Sequence, residues 1–100
     1  MKHSSFHPAA REELLEAIAY YNSVEPGLGM AFLEEIEAAI TLAGNFPDLW
    51  VELDGGVRRC LVRRFPYAVL YSKDSGQLFI LAIMHTKRKP GYWLNRRNGP

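Results

Sequence analysis

The residues best suited to chemistry gather late in the chain: Arg58, Arg63, Arg64, Tyr67, His85, Arg88, Tyr92, Trp93 and Arg96. Guanidinium forks bind phosphates and carboxylates two bonds at a time, and aromatic rings stack on bases or on guanidinium planes. Such a set suits nucleic acid or the carboxylates of a protein partner. His85 is the candidate base, since an imidazole can give or take a proton. On an extended strand, positions 85 and 88 point to opposite faces, so a pocket holding both requires the strand to bulge or to end by Thr86. Failing that, His85 is a hydrogen-bonded side chain near a sheet edge. His3 and His7 have no ligand spacing with any acid or with Cys60, so neither a metal nor another cofactor is expected.

Part of the basic set has a structural explanation. Arg58, Arg59, Arg63 and Arg64 bracket the apolar Cys60-Leu61-Val62, as happens where a central strand leaves the core at each end and its arginines reach water on aliphatic stems. That leaves the charge distribution to explain. The net charge is +1, but residues 1–57 hold two basic residues and ten acids, a balance of −8, whereas residues 58–100 hold ten basic residues and one acid, Asp74, a balance of +9. Folding should turn this into an acidic and a basic side, the acids of the helices forming solvated faces and the basic side a surface for an anionic partner.

One hundred residues suffice for one core, so the chain is read as one domain over 1–100. With 48% hydrophobic and 23% charged residues it has a globular composition, and no apolar run approaches the roughly 18 residues that span a membrane. Met1 to Phe6 has no apolar stretch behind its lysine, so no secretory signal is expected. The single cysteine excludes an internal disulfide and fits a reducing cytoplasm.

These residues need elements to hold them. Lys2 to Phe6 reads as a short edge strand. His7-Pro8 opens a helix, with Pro in the first turn, Glu12 and Glu13 near the positive end of the dipole, and Ala10, Leu14, Ala17, Ile18 and Tyr21 at helical spacing. Pro26-Gly27-Leu28-Gly29 turns the chain into a second helix with Leu28, Phe32, Ile36, Ala39, Ile40 and Ala43 on one stripe, stopped by Gly44-Asn45 and Pro47. So short a connection makes the helices antiparallel. Tyr20 and Tyr21 are read as packing residues. After Pro47 the period falls to two, and Trp50–Leu53, Val57–Phe65, Tyr67–Lys73 and Gln77–Lys87 read as four strands of an antiparallel meander, followed by a tail that docks as one helical turn. The expected architecture is α+β: a short N-terminal strand and a two-helix hairpin on one face of a mainly antiparallel sheet.

Parity along the strands raises a difficulty. Leu78, Ile80, Ala82 and Met84 should face one way and Phe79, Leu81 and Ile83 the other; Tyr67, Val69 and Tyr71 likewise oppose Ala68 and Leu70. Both faces are apolar, and one helical hairpin covers only one. Either the aromatic tail covers the second face or a partner chain does.

Taken in order, several segments resemble the RelE/ParE toxins of bacterial type II toxin–antitoxin modules over nearly the whole chain. They are the first strand with Pro8-Ala9-Ala10, Tyr20-Tyr21, Gly29-Met30-Ala31-Phe32, Phe46-Pro47, Arg63-Arg64-Phe65-Pro66-Tyr67 with Tyr71, and His85-Thr86-Lys87-Arg88-Lys89-Pro90-Gly91-Tyr92-Trp93. The resemblance implies growth inhibition and neutralisation by a cognate antitoxin, in a heterotetramer or larger complex. RelE-like members cut mRNA on the ribosome. They usually place an arginine right after the aromatic that opens the penultimate strand, where this chain has Ala68, and lysines before the central strands, where it has Glu52 and Asp54. Arg88, Tyr92 and His85 would remain for such a reaction. The Phe65-Pro66-Tyr67 turn and the Arg88-to-Trp93 ending are closer to ParE-like members, inhibitors of DNA gyrase. The expected contacts to target or antitoxin are Arg58, Arg63, Arg64, Tyr67, Arg88, Tyr92, Trp93 and Arg96, with ribosome-dependent mRNA cleavage or a non-toxic nucleic-acid-binding domain as the alternatives.

Overall fold

The computed structural model describes residues 4–98, with side chains through Arg96; Lys2, His3 and the Arg97 side chain lie outside the described residues. Strand β1 (Ser4–Phe6) leads into helix α1 (Pro8–Val24), then come α2 (Leu28–Asn45), β2 (Val51–Glu52), β3 (Arg58–Leu61), β4 (Tyr67–Asp74) and β5 (Gln77–His85), and the chain closes with a 3-10 turn at Leu94–Asn98. The sheet order is β1-β5-β4-β3-β2, with β1 parallel to β5 and the other neighbours antiparallel.

Local chemistry sets the boundaries. His7 caps α1, its Nδ1 accepting the Ala9 N–H at 3.0 Å, and Pro8 takes the first turn, where no backbone donor is missed. Gly27 turns the hairpin with φ 90°, and Gly29 lets the helices close up. A Cβ there would sit 2.5 Å from the Ile18 carbonyl oxygen, while the Gly29 N–H donates to Asn22 Oδ1 at 2.8 Å. The strand expected over Val57–Phe65 is shorter, because Arg64 adopts φ 71° and swings the chain out of the ladder. Phe65 then turns inward against Tyr21 and Phe32, with ring centroids 4.9 and 5.2 Å away.

The sheet separates two apolar cores. Toward the helices, Ala10, Ala17, Phe32, Ile36, Ala39 and Ala43 pack on Cys60, Val69, Tyr71, Leu78, Ile80 and Ile83. On the opposite face, Val57, Ala68, Leu70, Leu81, Ala82 and Met84 are covered by Trp93, with Leu53, Phe79 and Tyr92 alongside. The tail therefore covers much of the second face. The alternation expected for β4 holds, whereas that for β5 does not: Leu70 pairs with Ala82 but Tyr71 with Ile80, so Leu81 is an extra residue. This bulge moves Ala82 and Met84 to the tail side and Ile83 to the helix side. Among the described residues no helix is long and apolar enough to cross a membrane.

Candidate functional site

The tail is held by one acid on α1. Glu13 lies three residues after Ala10 and four before Ala17, both buried, so helical geometry turns it toward the sheet. Its Oε1 accepts the Ile83 N–H and an Arg96 Nη1–H, each at 3.0 Å. Its Oε2 accepts the Tyr92 hydroxyl at 2.9 Å and Arg96 Nη2–H at 3.0 Å. Arg96 Nη1 also donates to the Leu81 carbonyl at 3.0 Å. β1 has ended by this point, so Glu13 and Arg96 occupy the β5 edge that a neighbouring strand would otherwise pair. The Glu13 and Arg96 side chains are each only 14% exposed, a burial that charged groups tolerate only when paired. Burial first, then the hydrogen bond to Glu13 and its negative charge, raise the Tyr92 phenol above its ordinary pKa.

Arg88 joins this group without being consumed by it. Its guanidinium lies 3.9 Å from the Tyr92 ring centroid and 3.7 Å from Glu13 Oε2, with 52% of the side chain exposed. β5 ends at His85, and the Arg88 N–H closes a turn onto the His85 carbonyl at 2.9 Å, which meets the condition for a shared pocket. His85 and Arg88 line one small cleft of about 170 Å³ with Glu13, Glu16, Tyr20 and Tyr67. The His85 ring stands edge-on to Tyr67 at 5.1 Å, and its Nδ1 accepts the Lys87 N–H at 3.1 Å. Burial raises the Tyr67 phenol, with smaller contributions from Tyr21, Tyr20 and Glu13.

Arg88 also borders a larger cleft of about 650 Å³ on the tail side of the sheet, walled by Glu52, Asp54, Arg59 and Thr86 and floored by Met84 and Trp93. Ala68, the position at which RelE-like chains carry a cation, lies in the core beneath this tail, 0% exposed. A longer side chain at position 68 would have to leave this packed core to meet a phosphate.

The other expected contact residues separate. Arg58 serves the fold: it donates to the Trp50 carbonyl at 2.6 Å and to Glu52 Oε1 at 3.2 Å, stapling β2 to β3. Arg63 and Arg64 stand exposed on the β3–β4 loop, with Arg64 5.5 Å from the Phe65 ring centroid. Trp93, 4% exposed, is an anchor of the tail rather than a surface. Glu13 was missed as a site residue; an acid on the apolar stripe of α1 was the available signal. Among the described residues no group of three or more His, Cys, Asp or Glu is arranged to hold a metal ion.

A second surface is apolar. A groove of about 810 Å³ runs beside the helices, lined by Phe6, Leu14, Leu33, Ile36, Ile40 and Leu42, with Glu37 and Arg63 at its margin.

No curated protein sequence matches the chain significantly. Among solved structures, one described as the chromosomal ParDE TA system from P. aeruginosa superposes with a TM-score of 0.72 at 16% identity, covering 85% of this chain and 96% of that one. At that identity the likeness is one of fold. A family model described as ParE toxin of type II toxin-antitoxin system, parDE, matches residues 5–90. The chain belongs to the ParE toxin family of type II toxin–antitoxin systems.

Proposed function

We propose that the chain stops growth by inhibiting DNA gyrase and is neutralised when a cognate antitoxin binds it directly. The observation that carries the choice of target is Ala68, 0% exposed in the apolar tail-side core that also holds Trp93. RNA cleavage of the RelE kind needs preorganised cations around the phosphate, and losing one such contact costs on the order of a hundredfold or more in rate. Here that position is a fully buried alanine in an apolar core. Of the expected contacts, Arg63, Arg64 and Arg88 remain on the surface, and their guanidinium forks suit carboxylates of a protein target.

The ParDE structure above is titled as a toxin–antitoxin system, and the apolar groove beside α2 is the surface of this chain that we assign to such a partner. A second exposed apolar strip remains on the tail side of the sheet, where Leu61 is 59% and Val51 60% exposed. The partner expected over the second sheet face thus finds most of it covered by the tail, and the helix-side groove is the better seat for an amphipathic antitoxin segment.

One observation favours the nuclease reading: His85, Tyr67 and Arg88 do share a cleft. Induction of the gene, followed by supercoiling assays on purified gyrase and by mapping of mRNA ends, separates the two. Inhibited supercoiling with intact mRNA is expected; codon-specific cuts in translated mRNA with normal supercoiling would reverse the assignment.

A further inference from the structure

Two guanidinium groups surround one carboxylate in the tail cluster, and the carboxylate does not treat them alike. Arg96 makes two 3.0 Å bonds to Glu13 and is 14% exposed; its charge is spent inside. Arg88 touches Glu13 only at 3.7 Å, beyond hydrogen-bond length, and is 52% exposed. Of the three charges on Glu13, Arg96 and Arg88, the one that no hydrogen bond commits is that of Arg88. Arg88 is nevertheless held, because its guanidinium carbon lies over the Tyr92 ring, 3.9 Å from the centroid, and the Tyr92 hydroxyl is tied to Glu13 at 2.9 Å. A guanidinium held over an aromatic ring and making no hydrogen bond to the nearby carboxylate keeps N–H donors for a second carboxylate.

We propose that Glu13 is a positioning residue which, through Tyr92, presents Arg88 as a preformed fork for a single acidic side chain of the protein target. This rests on the reading above that the target is a protein. A single carboxylate fits better than a nucleic-acid strand, because Glu13 and Glu16 line the same cleft and repel a run of phosphates more strongly than one charge, and the Arg88 fork can meet one carboxylate with two bonds. Preorganisation of this kind raises affinity by cutting the ordering cost of a long side chain.

The test compares the full chain with Glu13→Gln, Arg88→Ala and the double variant, each expressed in bacteria from a graded promoter, with the inducer level for half-arrest of growth as readout. Glu13→Gln should raise that level tenfold or more, Arg88→Ala at least as much, and the double variant no more than Arg88→Ala alone. Multiplying effects in the double variant, or a Glu13→Gln chain as toxic as the parent, would overturn the proposal. Because Glu13→Gln strands the Arg96 charge and can unfold the chain, Glu13→Gln/Arg96→Met is run in parallel and should show the same toxicity loss with a normal melting curve. Nitrogen-15 NMR of the Arg88 Nε–H is the second measurement. It should be resolved and slow to exchange in the parent and averaged in both Glu13→Gln backgrounds, and an unchanged signal overturns the proposal whatever the toxicity. Toxic parent protein that leaves gyrase supercoiling untouched would sink the gyrase assignment alone; equal inhibition of gyrase by parent and a folded Glu13→Gln variant would sink the positioning role alone.

Discussion

Replacing Trp93 by alanine removes the cover of the tail-side core. The residue is 4% exposed and packs with Val57, Ala68, Leu70, Leu81, Ala82 and Met84. An aromatic side chain of this kind buries about 150–250 Å², which at about 25 cal/mol/Å² amounts to about 4–6 kcal/mol. That is an upper bound, because the unfolded chain already hides part of the surface. Substitutions of buried aromatics by alanine cost about 3–5 kcal/mol, a large share of the roughly 5–15 kcal/mol that holds a domain together. At about 4–8 °C per kcal/mol for a chain of this size, the melting temperature should fall by at least about 12 °C. The tail would also lose its direction, so toxicity should drop with stability. Arg88→Ala is the control: it removes a half-exposed side chain with one cation–π stack, and should cost about 0.5–1 kcal/mol while still reducing toxicity. Calorimetry and growth assays on both variants decide the matter. A Trp93→Ala chain that loses less than about 1 kcal/mol, or an Arg88→Ala chain that unfolds as badly as Trp93→Ala, would refute the assignment of anchor and contact.

Ala68→Arg, which restores the cation that RelE-like chains carry, should destabilise by several kcal/mol and yield no ribosome-dependent cleavage, because the new charge enters an apolar core; mRNA mapping and a melting curve check both. Gly29→Ala should cost about 1–3 kcal/mol in denaturant titration, since its Cβ would press on the Ile18 carbonyl at 2.5 Å and the helices must part. Tyr71→Phe should cost about 1–2 kcal/mol near pH 8, because the phenol donates to the Pro47 carbonyl at 2.9 Å. Burial pushes the Tyr71 phenol up to about 12; a folded pKa above the unfolded value of about 10 gives stability that is present below pH 10 and is lost as pH rises from 10 toward 12, so alkaline unfolding in that window should be shallower in Tyr71→Phe.

The fold was legible in the sequence to the extent that it depends on near neighbours. His7-Pro8, Pro26-Gly27 and Gly44-Asn45 bound the helices because caps and left-handed turns are decided within a few residues, and the change of period after Pro47 announces the strands because side-chain alternation is a property of each strand by itself. Even the two apolar faces of the sheet and the dilemma of what covers the second could be read from β4. The structure decided what depends on distant pairing. The bulge at Leu81 is a feature of how β5 pairs with β4, and it reassigned the faces of Ala82, Met84 and Ile83. Arg58, Arg88 and Arg96 are indistinguishable as residue types; their fates diverge because Arg58 meets the Trp50 carbonyl and Glu52, Arg96 is buried against Glu13, and Arg88 is left half-exposed beside it. Glu13 is separated from Tyr92 and Arg96 by 79 and 83 positions. Only a closed chain brings a helix acid onto an open strand edge beneath a C-terminal tail, because an ion pair is decided by distance in space, and sequence separation does not enter the Coulomb energy.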